Sequence, residues 1–271
     1  GRYILTGSAN PFLLPKIGDS LAGRVEILTL YPFSQGEIRN IFDNFIDYLW
    51  SDNPIHGITC EKIEQQSFYD HITMGGYPSV QQKSMQDVDA WFASYISSII
   101  QKDLVDIANI EHLKDIPKLL QLCAIRAGSL VNMSDLGRET GLSTTTLQRY
   151  LVLLEALFII IMQQSWHTLT TKRFIKAPKS YLIDTGLLSW LCMVTSEKMV
   201  HNKAHEKGQI VENFVFNELL KQTTWCSNTN LKLYHLRSAT NYEVDIVLER
   251  RDRDRKSTRL NSSHANISYA V

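Results

Sequence analysis

At 271 residues with 44% apolar content, the chain is long enough for about two domains with real cores. Its 28 Lys and Arg balance 28 Asp and Glu, so no global field draws it to nucleic acid or to an anionic membrane, and any such binding must come from a local patch. Cys60, Cys123, Cys192 and Cys226 form no CxxC, which argues against a zinc knuckle or a disulfide framework and for a reducing cytoplasm. The longest apolar run, Leu151 to Met162, is broken by Glu155 and is shorter than the roughly 20 residues a membrane span requires.

Tyr3 to Leu5 reads as a buried strand ending in the polar loop Thr6-Gly7-Ser8-Ala9-Asn10-Pro11. Val25 to Leu30 reads as a second strand, and Ser34-x-x-Glu37 is a capping box for a helix through about Leu49. This alternation is the α/β pattern of a parallel sheet whose remaining strands are expected before Gly1. From about Glu61 to Cys123 the pattern is helical and amphipathic, interrupted by Met74-Gly75-Gly76-Tyr77-Pro78. From Ser134 a short helix, a turn at Gly141 and a second helix capped by Ser143 follow the grammar of a helix-turn-helix. Phe158 to Met162 and Ser180 to Ile183 flank the basic loop Lys172-Arg173-Phe174-Ile175-Lys176 as a wing does. Asp184 is placed to cap a helix.

After Gly208, Ile210, Val211, Phe214, Val215, Leu219 and Leu220 mark the apolar face of a helix that also carries Glu212 and Glu218. Leu231 to Leu236 and Glu243 to Leu248 read as strands, with Asp245 in the second. Beyond Glu249 the chain turns to charged residues and then to a Ser/Asn-rich tail without periodicity, which is expected to be disordered.

Several of these stretches resemble one known architecture. Arg2 to Asn10, Ser20 to Arg24 and Tyr31-Pro32-Phe33-Ser34 resemble the second half of a prokaryotic AAA-type ATPase domain. Arg149-Tyr150-Leu151, Ala177-Pro178-Lys179-Ser180-Tyr181 and Asp184-Thr185-Gly186-Leu187 resemble the segment that leads into its C-terminal domain of unknown function. Gly208 to Asn213 and Glu243 to Leu248 resemble the restriction-endonuclease-like fold of that domain. The resemblance implies that Thr6, Ser8 or Asn10 senses the γ-phosphate and that Arg24 answers transition-state charge. It implies also that Glu212 and Asp245 hold Mg²⁺ in a nuclease-like site, whose Glu-x-Lys element the chain lacks. The tail from Lys256 resembles adaptor read-through.

The expected organisation is thus mixed α/β, with a partial parallel-sheet AAA half over 1–60, a helical lid or linker over 61–123, and a winged helix-turn-helix over 124–195. An incomplete nuclease-like α/β domain follows over 208–250 and a disordered tail over 251–271. No Gly-x-x-x-x-Gly-Lys-[Ser/Thr] occurs, so ATP and Mg²⁺ are expected as cofactors of an intact parent and not as tight ligands of this piece. Two partners stand open. One is DNA, read by Thr144, Thr145, Gln148 and Arg149 with Lys172, Arg173 and Lys176 on phosphates; the other is a protein partner or a second copy, with the nuclease-like fold degenerate. His201 and His205, four apart, have no third metal ligand beside them.

Overall fold

The computed structural model describes residues 4, 6–9, 26, 28–42, 44–50, 62–104, 113–168, 173, 176–202, 204–227, 231–237 and 243–250, with backbone alone at 85, 102–103, 113 and 265–267. Asn10, Arg24 and Lys172 lie outside the described residues. Thr6 and Ser8 are described and exposed. The expected strand over Val25 to Leu30 does not form at its described positions: Leu28 and Leu30 are largely exposed and irregular.

The capping box closes as expected. Ser34 N–H donates to Glu37 Oε2 at 2.7 Å and Glu37 N–H to Ser34 Oγ at 3.0 Å. The helix it starts, α1 (Gln35–Arg39), is nevertheless short, because Asn40 turns left-handed at φ 55° and ends it. α2 (Phe45–Leu49) then begins anew where a single helix was expected. α3 (Gln65–Met74) stops at Gly75, whose φ of 73° suits glycine. α4 (Met85–Ser98) runs into a π-helical turn, Ile99–Asp103.

α5 (Ile116–Ile125) follows a short 3-10 turn and precedes α6 (Met133–Thr140) and α7 (Thr144–Ala156). Gly141, at φ 78°, closes α6, and Ser143 Oγ accepts Thr146 N–H at 3.2 Å to start α7. Leu147, Tyr150, Leu151 and Leu154 form the buried stripe of α7. β1 (Ile160–Gln163) and β2 (Lys179–Leu182) pair antiparallel, Gln163 opposite Lys179. The other edge of β2 is bridged by Leu130 opposite Lys179, which buries the strand on both sides. α8 (Thr185–Leu191) and α9 (Ser196–Val200) complete this helical layer, and its core gathers Ile72, Phe92, Leu119, Leu147, Leu154 and Leu187.

α10 (Lys207–Gln222) packs across β2. Its most buried residues are Ile210, Asn213, Phe216, Asn217 and Leu219, so the buried face is rotated from the expected one, in which Val211, Phe214 and Val215 now lie half-buried. The asparagines are inside because β2 offers open main chain. Leu182 N–H donates to Asn213 Oδ1 at 2.9 Å, and Leu182 O accepts from Asn213 and Asn217; an apolar side chain there would strand both groups.

β3 (Leu231–Arg237) and β4 (Glu243–Arg250) pair antiparallel with an irregularity between Tyr234 and Leu236. The expected disordered tail departs from that expectation at β5 (Ala265–Ile267), which pairs with β4. The edge of β4 away from β3 is a template for any extended segment, because ladder bonds are made by main chain whatever the side chains; the rest of the tail lies outside the described residues. His235 N–H donates to Gln164 O at 3.1 Å and Trp166 N–H to His235 O at 2.6 Å, joining the extension of β1 to β3 in a parallel sense. The observed architecture is therefore mixed helix with small antiparallel sheets. No helix among the described residues is long and apolar enough to cross a membrane.

Candidate functional site

Glu212 and Asp245 are brought together, and a third residue does it. Lys179 Nζ lies 2.6 Å from Asp245 Oδ1, 3.0 Å from Glu243 Oε1 and 3.3 Å from Glu212 Oε1. Its side chain is 3% exposed, against 24% for Glu212, 38% for Glu243 and 40% for Asp245. Period-two alternation puts Lys179 and Tyr181 on one face of β2 and Glu243 and Asp245 on one face of β4. Tyr181 O–H donates to Glu212 Oε1 at 2.7 Å while its ring stacks on Phe216 at 4.0 Å.

The electrostatics follow from burial set against pairing. Burial pushes the Lys179 ammonium toward losing its proton, yet Asp245, Glu212 and Glu243 more than offset this and hold its pKa above the ordinary lysine value. Burial raises the Glu212 carboxyl above its usual range, against the opposing pull of Lys179 and Tyr181. Tyr181 is driven upward by burial and then by Glu212, so its hydroxyl stays a donor.

The Mg²⁺ implied at Glu212 and Asp245 does not fit this arrangement. An ammonium stands between the two carboxylates, and among the described residues no group of three or more His, Cys, Asp or Glu is arranged to hold a metal. His201 and His205 are both exposed.

One residue of the basic loop is placed differently from the expectation. Arg173, expected on a phosphate, is 6% exposed and buried in a bidentate pair, with Nη1 2.6 Å from Glu249 Oε2 and Nη2 2.7 Å from Oε1. Its Nε donates to His167 O at 2.6 Å, and its guanidinium lies 4.7 Å from the Tyr234 ring centroid. Lys176 is exposed, with Nζ 3.2 Å from Arg237 O. On α7, Thr144, Thr145, Gln148 and Arg149 are all exposed, along one flank of the helix.

Sequence reading missed Lys179, Tyr181, Asn213 and His235 as parts of the site. The available signal was Lys179 itself, a charge at the head of an otherwise apolar strand run. His235 is 1% exposed and has Nε2 3.3 Å from Ala177 O. Burial first, then the nearby charge of Lys179, pushes its imidazole down from 6.5 to about 4, with Lys176 acting the same way and Glu243 opposing. A depressed imidazole contributes stability that is present above pH 6.5 and lost as pH falls toward 4, because the unfolded chain takes up the proton first. Across that window His235 is expected to withdraw about 3 kcal/mol. Urea unfolding of wild type and His235→Gln at pH 7 and pH 4.5 checks this, and equal losses in both would remove His235 as the cause.

Residues 65–198 match the model of a domain of unknown function (DUF8612), residues 207–257 that of a second domain of unknown function (DUF4143), and residues 1–39 that of an AAA domain. The chain is 26% identical over 248 residues to the uncharacterized protein Rv2008c of Mycobacterium tuberculosis and, equally, to the uncharacterized protein Mb2031c of Mycobacterium bovis. These alignments cover 92% of the chain and 49% of each relative, so the chain spans about half the length of the curated relatives it matches. No solved structure matches it significantly. The AAA and DUF4143 matches together support an AAA-type ATPase-like protein.

Proposed function

We propose that the chain forms the output side of an AAA-type ATP-binding protein, in which ATP and Mg²⁺ bind in the intact parent and the C-terminal segment serves as a non-enzymatic interaction module. One observation carries the reading: all three family-matched regions meet at Phe33 to Gln35. Phe33 N–H donates to Gly76 O at 2.8 Å, Phe33 O accepts from Lys221 Nζ at 2.9 Å, and Gln35 N–H donates to Glu218 Oε2 at 2.8 Å. Glu218 and Lys221 are themselves paired at 2.8 Å on α10. A displacement of the AAA segment is thereby applied to the helix that carries Glu212 and to the turn after α3. Two fixed arrangements of such a linked element are what a nucleotide would bias.

Hydrogen exchange tests this on a chain carrying a complete AAA domain ahead of Phe33. ATP with Mg²⁺ is expected to change protection over 207–222 in wild type, and Glu218→Ala with Lys221→Ala to abolish that change while nucleotide binding persists. Unaltered protection in wild type would sink the reading.

A second reading, DNA association through α7, is favoured by the exposed flank of Thr144, Thr145, Gln148 and Arg149. If it holds, Lys176→Ala is expected to lower the log-log salt slope of binding by about 0.9, the loss of one phosphate contact. An unchanged slope, measured by fluorescence anisotropy across salt concentrations, places Lys176 off the DNA.

A further inference from the structure

We infer that Lys179 is the resident cation of the Glu212, Glu243 and Asp245 cluster, a tethered ammonium standing where a divalent metal would otherwise bridge the helix and strand carboxylates, and excluding that metal while β2 stays docked. The inference rests on the cluster and not on the coupling reading above.

Three features argue for it. The ammonium engages all three carboxylates at 2.6 to 3.3 Å, and a buried lysine keeps its proton only when paired in this way. Glu212 Oε1 already accepts from both Lys179 and Tyr181. It is also walled by backbone: a Cβ added to Gly128, which sits at φ 76°, would lie 2.8 Å from it. A Mg²⁺ ion demands near-octahedral oxygens at about 2.0–2.1 Å and keeps several waters, and this corner is filled by the glycine and the phenol.

The backbone of Lys179 is held on one side by the pairing with Gln163 and on the other by the bridge to Leu130, so with β2 in place only a change of side-chain rotamer would take the ammonium away. The cluster is therefore a clasp: its cation comes from the hairpin after the helix-turn-helix, and its anions come from α10 and β4. Hydrolysis by a metal held at Glu212 and Asp245 is excluded for this chain as long as the clasp is closed.

The test compares the wild-type chain with Lys179→Met, which keeps the aliphatic stem and deletes the charge. Tb³⁺ luminescence excited through nearby tyrosine reports binding at Tyr181, and melting with and without Mn²⁺ reports it independently. Wild type is expected to give no sensitised Tb³⁺ signal and no Mn²⁺ shift, although an ion present at about a hundred times its dissociation constant would raise the melting temperature by several degrees. Lys179→Met is expected to melt lower, to be restored by Mn²⁺, and to bind one Tb³⁺ that a further Asp245→Asn abolishes. Saturable ion binding by wild type that Asp245→Asn removes would overturn the inference, as would a cooperatively folded Lys179→Met that ignores both ions. Should Lys179→Met not fold, the wild-type titrations with and without Asp245→Asn decide alone: a flat response in both supports the inference, and a response lost in Asp245→Asn overturns it.

Discussion

Replacing Asp184 by alanine is expected to destabilise the chain by about 3 kcal/mol, near the top of the range for a single buried polar deletion. The carboxylate is 1% exposed and organises two pieces of backbone at once. Gly76 N–H donates to its Oδ2 at 2.6 Å, and Leu187 N–H donates to its Oδ1 at 2.9 Å as the cap of α8. Burial raises its pKa, while the N–H groups of Gly76, Leu187 and Gly186 and the charge of Lys221 pull the other way. Alanine would leave both N–H groups buried without an acceptor and remove an N-cap worth about 1 kcal/mol. Asparagine retains one acceptor oxygen and is expected to cost about half as much. The glycines around it are fixed by contact: a Cβ on Gly75 would lie 2.3 Å from Asp184 Oδ1, and one on Gly186 would lie 2.4 Å from Met74 O. Urea unfolding at neutral pH measures these differences. A loss below about 1 kcal/mol for Asp184→Ala would mean that water reaches both N–H groups and that the latch is not a buried one.

Arg173→Ala is expected to cost about 3 to 5 kcal/mol, because breaking a buried pair strands the other charge. Glu249 would keep a carboxylate whose side chain is 13% exposed and which the Trp166 Nε1–H, donating at 3.2 Å, does not neutralise. Deletion of both partners is expected to be far milder than the sum of the single deletions. In Arg173→Met with Glu249→Leu, apolar side chains of similar reach replace the pair, and stability is expected within about 1 to 2 kcal/mol of wild type. The double-mutant cycle, run by chemical denaturation, separates pairing from packing. Additive single losses would show that Arg173 acts through its stacking on Tyr234 and not through Glu249.

Local structure was largely written in the sequence where a short-range rule decides it. The Ser34 and Glu37 box, the Gly75-Gly76 break, the Gly141 turn, the Ser143 cap and the Asp184 cap each depend on residues within a few positions of one another, and each forms. The helix that Ser143 starts, α7, followed in the same way. The end of α1 at Asn40 did not, because a left-handed asparagine is one option among several until the chain beyond it is placed.

The site itself was half legible. Glu212 and Asp245 were found as a helical and a strand carboxylate, but what stands between them comes from β2, more than 30 positions from Glu212 and more than 60 from Asp245. No spacing rule reaches that far. Lys179 entered only as one residue of the Ala177 to Tyr181 stretch of the resemblance, with no role assigned, and Arg173 as one of three basic residues aimed at phosphate. Tertiary structure decided both: burial makes an unpaired charge too costly to keep, so each cation was drawn onto the carboxylates that fold against it. For the same reason the buried face of α10 centres on Asn213 and Asn217. Amphipathic period locates an apolar stripe, whereas the open main chain of β2 at Leu182 required amides, and only the docking of the two elements reveals that demand.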